Sequence, residues 1–372
     1  MPRKRNTDTI ANVAQQVRAK REAVAPAVPS RLCLPTGSTL LNLAVSDDAF
    51  GGWGAGKVVN LVGDSNTGKT LLVLTGLMEM AMDPQFEGYR FVYDDAENAL
   101  EMPVHQMFGD AVADRLEDPY GAHYGEDDWR SSESIEDVKN NIWALLEEDT
   151  PFIYILDSYD AVTTRDELKR QAEEAKGKEL NKDYPRGPAI LGQMLRLVKG
   201  KLRNTKSLVL IISQTRDVID AGSFAATKRR AGGRALKFYS SHEVWLAVAE
   251  GGQIKQEVRG QKHTIGWNIR VRSERSKLNG KRRDVPMTCY TEYGVDDIGA
   301  NIDWLMKAGA WSGTKAKIVA TGLLSPGGCM SRTSLINWIE GERKERKLRL
   351  IVQKAWDDIE GALKMTRRKR FE

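Results

Sequence analysis

The chain has 372 residues, 41% hydrophobic and 29% charged, with a formal net charge of +5. That is ordinary globular composition, with room for one large core and a smaller satellite. No apolar run nears the roughly 20 residues that span a bilayer, and the opening Met1-Pro2-Arg3-Lys4-Arg5 has no apolar stretch behind it, so a cytoplasmic protein without leader or span is expected.

Residues 1–30 read as a basic amphipathic helix, with Ile10, Val13 and Val17 at helical spacing and Pro26 and Pro29 ending it. A lone helix of that length is marginal in water, so it either docks or frays. A Gly51-Gly52-Trp53-Gly54 turn then leads into the β-rich run Lys57–Val62. Next comes Gly63-Asp64-Ser65-Asn66-Thr67-Gly68-Lys69-Thr70, followed by apolar Leu71–Leu74. Strand, glycine loop and helix in that order are the context of a phosphate-binding loop. The glycines let successive N–H groups converge on one phosphate, Lys69 supplies a cation, and the Thr70 hydroxyl suits Mg2+. Polyphosphate also gains from the positive end of the helix that begins near Gly68.

Tyr89–Tyr93 reads as a strand ending in Asp94-Asp95-Ala96-Glu97. These acids either face a nucleotide crevice, with Glu97 as the base for an attacking water, or cap the next helix. Between Glu117 and Asp149 eleven acids face only Arg130 and Lys139, without ligand spacing, which reads as a solvated face. Within it a helix should start at Ser134, with Asp137 as its capping partner, and run through Leu146. Phe152–Leu156 is an apolar run ending in Asp157, the form of a strand-end acid that holds Mg2+ through water. Thr163 to Pro188 is charged and poorly periodic, so it is either a loop or a surface helix.

A helix with Leu191, Met194, Leu195 and Val198 on one face follows, and Leu208–Ile212 forms a third buried strand ending at Ser213-Gln214. A glutamine there can bond a γ-phosphate and report its loss. Asp217–Ala231 is a long polar loop, of the kind that is functional or disordered. Glu243–Val248 and Trp267–Arg272 read as strands, the second leading into a basic hairpin from Arg275 to Arg283. Basic runs at strand ends of such a core favour a polyanion. Beyond Asn301 the chain turns helical, with helices near Ser331–Trp338 and about Gly341–Leu363. Its Arg367-Arg368-Lys369-Arg370 tail either touches nucleic acid or is solvated.

Thr36-Gly37-Ser38, the phosphate loop, Asp95-Ala96-Glu97-Asn98-Ala99-Leu100, Leu156-Asp157-Ser158, Ser213-Gln214 and Gly232-Gly233-Arg234-Ala235-Leu236-Lys237-Phe238-Tyr239 occur in one order. This series resembles the RecA family of strand-exchange ATPases, over roughly residues 31–310. The resemblance implies an α/β fold: a P-loop core with a twisted, mostly parallel sheet at 31–300. Residues 1–30 would be an oligomerisation helix and linker, and 301–372 a small helical domain. It further implies ATP and Mg2+ as cofactors, filaments on single-stranded DNA, then pairing and exchange with homologous double-stranded DNA in recombination and repair.

By position, Glu97 would be the catalytic glutamate, Lys69 and Gln214 its partners at the γ-phosphate, and Thr70 with Asp157 the Mg2+ holders. Arg165–Pro188 and Asp217–Ala231 would hold two DNA loops. Arg196, Arg216, Ile219, Gly232, Gly233 and Arg234 would meet DNA, with Ile219 wedged between base triplets. Lys237, Phe238, Arg275 and Lys277 would act across the interface between subunits. Val104 stands where an adenine-stacking aromatic is often found, with His105 as the substitute, and Tyr184 would be the wedge of the first loop. Two other classes use such a core: a hexameric DNA helicase or translocase, revealed by rings and unwinding, and a regulatory ATP-binding module. The presence of Lys69, Glu97, Asp157 and Gln214 together counts against the module.

Overall fold

The computed structural model describes residues 32–176, 187–217, 228–230 and 233–367. The expected N-terminal helix, Tyr184, Ile219, Gly232 and the tail from Arg368 lie outside the described residues. The chain opens with β1 (Cys33–Leu34), helix α1 (Thr39–Ser46) and β2 (Trp53–Gly54), which pairs with β1. β3 (Lys57–Gly63) enters the main sheet, and α2 (Lys69–Ala81) leads away from it. β4 (Arg90–Asp94), the short helices α3 (Val104–Phe108) and α4 (Asp110–Ala113), and β5 (Leu116–Glu117) follow. Then come α5 (Ile135–Glu147), β6 (Phe152–Leu156), α6 (Arg165–Glu174), α7 (Gly187–Thr205) and β7 (Leu208–Ser213).

A small hairpin of β8 (Thr215–Asp217) and β9 (Lys228–Arg230) precedes α8 (Gly233–Tyr239). Two long strands, β10 (His242–Val258) and β11 (Gln261–Ser276), then run to β12 (Arg283–Tyr290) and β13 (Gly294–Val295). The last elements are α9 (Asp297–Lys307), a hairpin of β14 (Ser312–Thr314) and β15 (Lys317–Val319), α10 (Arg332–Gly341) and α11 (Glu345–Ala362).

The main sheet has nine strands in the order β13-β12-β11-β10-β3-β7-β6-β4-β5. From β10 to β5 every pairing is parallel, and from β10 to β13 every pairing is antiparallel. Alternate residues of the parallel strands serve opposite faces. Val58, Val92, Phe152, Tyr154, Val209 and Ile211 pack with α5 and α7. Their alternates, such as Val59, Leu61, Phe91, Ile153, Leu210 and Ile212, are equally buried, as in a sheet covered on both sides.

The chain leaves β3, skips two positions to β4, and returns through β6 and β7. The loops after all four strands therefore meet at one edge, where such sheets form their crevice. Gly63, Asp94, Leu156 and Ser213 are the last residues of those strands.

Local chemistry sets the helix ends. The Ser134 side chain accepts the Asp137 N–H while Asp137 accepts the Ser134 N–H, the reciprocal cap expected for α5. The charged stretch after Thr163 resolves as helix α6, capped by Thr164. The helix expected from about Gly341 starts only at Glu345, because Arg343 at φ 51° breaks it from α10. α11 is tied to the core: Arg349 reaches Glu79 of α2 and Asp297, and Gln353 accepts the Ala49 N–H at 2.7 Å.

The largest departure from expectation is the pair β10 and β11. Two short strands were expected; the structure has one hairpin of 17- and 16-residue strands. Gly251, Gly252 and Gly260 break the apolar alternation, and register shifts between Val248 and Gln253 and at Ile254 absorb the extra residues.

Candidate nucleotide site and the hairpin beside it

The loop from Gly63 to Thr70 is shaped by close packing as well as by glycine freedom. A Cβ at Gly63 would lie 2.6 Å from Thr67 Oγ1 and 2.7 Å from the Leu246 carbonyl. Gly68 sits at φ +75°, and a Cβ there would lie 3.1 Å from Ile269 Cδ1 and 3.2 Å from Cys289 Sγ. The loop is thus held against β10, β11 and β12. The first turn of α2 has no side-chain cap and no acidic residue, so its N–H groups and the helix dipole are available to an anion.

Lys69 is buried and donates to the carbonyls of Gly63 at 3.1 Å and Asp64 at 2.7 Å. Burial pulls its pKa down, opposed by the carboxylates of Asp157, Glu97, Asp64 and Asp160. The Thr70 hydroxyl donates to Asp157 Oδ2 at 2.8 Å, and the Tyr93 hydroxyl donates to the same oxygen at 2.6 Å. Burial pushes the Asp157 carboxyl up; these two donors pull it back, and Glu97 and Asp95 add to the rise. Oxygen donors and crowded negative charge suit a hard divalent cation, so Thr70 and Asp157 fit Mg2+, and the loop above them fits a polyphosphate.

Of the acids at the end of β4, Asp95 and Glu97 take the two roles left open by the sequence and Asp94 takes neither. Asp94 is wholly buried and accepts the Ser132 N–H at 2.8 Å and the Tyr154 hydroxyl at its other oxygen. Asp95 accepts the N–H groups of Ala99 at 3.1 Å and Leu100 at 2.9 Å, so it caps the following turn. Glu97 alone is exposed toward the crevice, where its Oε1 accepts the Ser158 hydroxyl and Gln214 Nε2, the latter at 2.8 Å. Gln214 is also fixed by its own N–H, which donates to Asp160 Oδ2 at 2.8 Å.

Beside the phosphate loop lies a cavity of about 280 Å3. Its far end is walled by Met102, Met107, Trp267 and Thr291. Val104 and His105, the residues expected to meet a base, do not line it. Val104 is fully buried, and His105 pairs with Asp110 at 3.1 Å, its ring 5.8 Å from that of Tyr124. The missed residue is Trp267. Its signal was the period of β11: Trp267 alternates with buried Ile269 and Val271, so it continues toward the pocket the face that packs on Gly68.

The residue after Gln214 begins the β8–β9 hairpin, whose register sets Arg216 opposite Arg229 and Asp217 opposite Lys228. Arg196 lies on the exposed side of α7, away from Leu195 and Val198. Gly233 and Arg234 start α8. At the other end of α8 four expected interface residues meet. Arg275 Nη1 donates to the Lys237 carbonyl, Lys277 Nζ lies 3.4 Å from the Phe238 carbonyl, and the Phe238 side chain is 70% exposed. Burial lowers the pKa of Lys277, and Lys199, Arg275 and Lys57 lower it further.

The model of the RecA N-terminal domain matches residues 29–296, well over half of the chain. Among curated relatives, the protein RecA of Aquifex pyrophilus is 28% identical over 286 residues, covering 75% of this chain and 72% of its own length. Protein RecA of Oceanobacillus iheyensis is 25% identical over 290 residues, covering 76% and 74%. That of Lactobacillus acidophilus is 26% identical over 296 residues, covering 78% and 72%.

Proposed function

The chain belongs to the RecA family and acts in ATP-dependent homologous recombination and strand exchange; on that premise we propose that it is a DNA-dependent ATPase which polymerises on single-stranded DNA. Double-stranded DNA of matching sequence is then its second partner, chosen by base pairing, while the protein grips backbone and stacked bases. Lys69 and the N–H groups from Ser65 to Thr70 hold the polyphosphate. Thr70 and Asp157 would hold Mg2+, which when bound would neutralise charge on the transferring phosphoryl group. Glu97 orients the attacking water, and Gln214 donates its amide to the γ-phosphate. Arg196, Arg216, Ile219, Gly232, Gly233 and Arg234 serve DNA, and Lys237, Phe238, Arg275 and Lys277 serve the contact between subunits.

The observation that carries this reading is the hydrogen bond from Gln214 Nε2 to Glu97 Oε1. It puts the residue that leads into the Arg-bearing hairpin on the carboxylate proposed to position water. A γ-phosphate in reach would draw the amide off Glu97, freeing the carboxylate and shifting the root of the hairpin in one step.

Hydrolysis measured with and without single-stranded DNA, alongside negative-stain imaging, tests it. Wild-type protein should hydrolyse ATP faster on DNA and form filaments along it. Lys69→Ala should lower the rate by at least about a hundredfold. Gln214→Ala should still bind nucleotide but lose its response to DNA. Equal rates with and without DNA, and no filaments, would overturn the reading.

A further inference from the structure

Asp64 is bonded at both its ends. Its main-chain carbonyl accepts Lys69 Nζ at 2.7 Å and Thr67 Oγ1 at 2.8 Å. Its carboxylate accepts the Thr215 hydroxyl. Thr215 is the first residue of β8, so the phosphate loop is tied to the hairpin directly, without passing through Gln214. The bonds of Gln214 go elsewhere, to Glu97 and Asp160.

We propose that Asp64 and Thr215 form a second link between the nucleotide site and the nucleic-acid hairpin, one that responds to any polyphosphate rather than to the γ-phosphate. It rests on the nucleotide and DNA roles proposed above. The physical reason lies in Lys69. An ammonium bonded to neutral carbonyls is drawn off by a phosphate oxygen, because the opposite charge adds a Coulomb attraction that a neutral acceptor does not offer. A lysine at this place in the loop reaches the β-phosphate, so a diphosphate suffices. Losing Lys69 leaves the Asp64 carbonyl to the Thr67 hydroxyl alone, so a peptide unit held by two bonds is held by one and can turn about it. The carboxylate on the same residue turns with it, and the Thr215 hydroxyl follows.

The arrangement also answers an electrostatic difficulty. A carboxylate in a phosphate cradle repels the ligand unless it points away and is hydrogen-bonded. Thr215 supplies that bond, so one contact both directs the charge and carries the signal. Gln214, in contrast, has nothing to read in a diphosphate. The hairpin therefore receives two inputs: polyphosphate present, through Asp64, and terminal phosphate present, through Gln214.

The test uses the full-length chain and a fluorescein-labelled oligothymidine, with affinity read by anisotropy without nucleotide, with ADP, and with a non-hydrolysable ATP analogue. In the wild type, adding ADP should shift DNA affinity on the order of fivefold. Thr215→Val, which keeps shape and loses the hydroxyl, should cut that shift below about twofold and keep the further shift from ADP to the analogue. Thr215→Ser should restore the ADP shift, and Asp64→Ala added to Thr215→Val should change it no more than Thr215→Val alone. A full ADP shift in Thr215→Val, no ADP shift in the wild type, or loss of both shifts together would overturn the link. Wild-type ATP hydrolysis with and without DNA is run in parallel. Its failure to respond to DNA sinks the functional reading, whereas a normal response with an unaltered ADP shift in Thr215→Val sinks only the link.

Discussion

At His242, burial outweighs every other influence on the ring. The side chain is fully enclosed: Nε2 faces the Gly54 N–H at 3.3 Å, Nδ1 faces Ser276 Oγ at 3.3 Å, and the ring lies 5.9 Å from that of Trp53. Burial, helped by the charges of Lys57 and Lys277, brings its pKa down to about 3. The unfolded chain binds a proton at the ordinary value near 6.5. Between those values the unfolded state holds more protons than the folded one, so stability falls as pH falls, by about 1.4 kcal/mol per unit for this group. Thermal unfolding followed from pH 6.5 to 5 should show that loss, and His242→Gln should flatten the slope while lowering stability at neutral pH. Nothing near His242 in sequence announces this. The same holds for Asp64 and Thr215, which are 151 positions apart. The strand-end acids were half legible: the pattern marked Asp94, Asp95 and Glu97 as a group, but what sets Asp94 apart is the Ser132 N–H and the Tyr154 hydroxyl, donors that only the fold brings near.

Among elements, α11 is held to the core by a largely buried ion pair rather than by apolar contact alone. Arg349 is bonded to both carboxylate oxygens of Glu79 on α2 and lies 3.4 Å from Asp297, which itself accepts the Thr39 N–H and hydroxyl. Burial pushes the Glu79 carboxyl up, and the Arg349 guanidinium is what acts against it. Arg349→Ala should therefore cost about 3 kcal/mol, because a carboxylate is left behind without its counter-charge. The sign with pH follows: a carboxyl whose folded pKa is raised is penalised above its unfolded value, so the deficit shrinks as the solution is acidified toward pH 4. Adding Glu79→Gln should recover most of the loss at neutral pH, and urea titrations of the three variants decide it. Elements with one strong period or one cap were readable in the chain, as α5 and the core strands β3, β6 and β7 were. The β10–β11 hairpin was not, because its outer half is exposed on both faces and has no alternation to read.

For the molecule as a whole, the strand order decides what can be coupled. β7 lies beside β3, with Val62 opposite Ser213, so the residues after both strands share one crevice whatever their separation in the chain. On the far side of β3 stands β10, and α8 leads into it, carrying Lys237 and Phe238. Phe238 is 70% exposed, and its ring meets only that of Tyr239, edge-on at 5.1 Å among the described aromatic contacts. In the subunit contact proposed above, Phe238 would pass from water into the interface with a second copy of this chain. Burying it would supply about 1.5–3 kcal/mol per subunit joined. If the proposed filament repeats that contact at every step, Phe238→Ala should weaken each addition by about ten- to a hundredfold. Nucleotide binding by dilute protein should stay unchanged, because Phe238 does not line the cavity at Thr70 and Trp267. Sedimentation of the variant with single-stranded DNA and an ATP analogue, against nucleotide binding alone, separates the two. Filaments as long as those of the wild type at the same concentration would show that the subunits meet elsewhere.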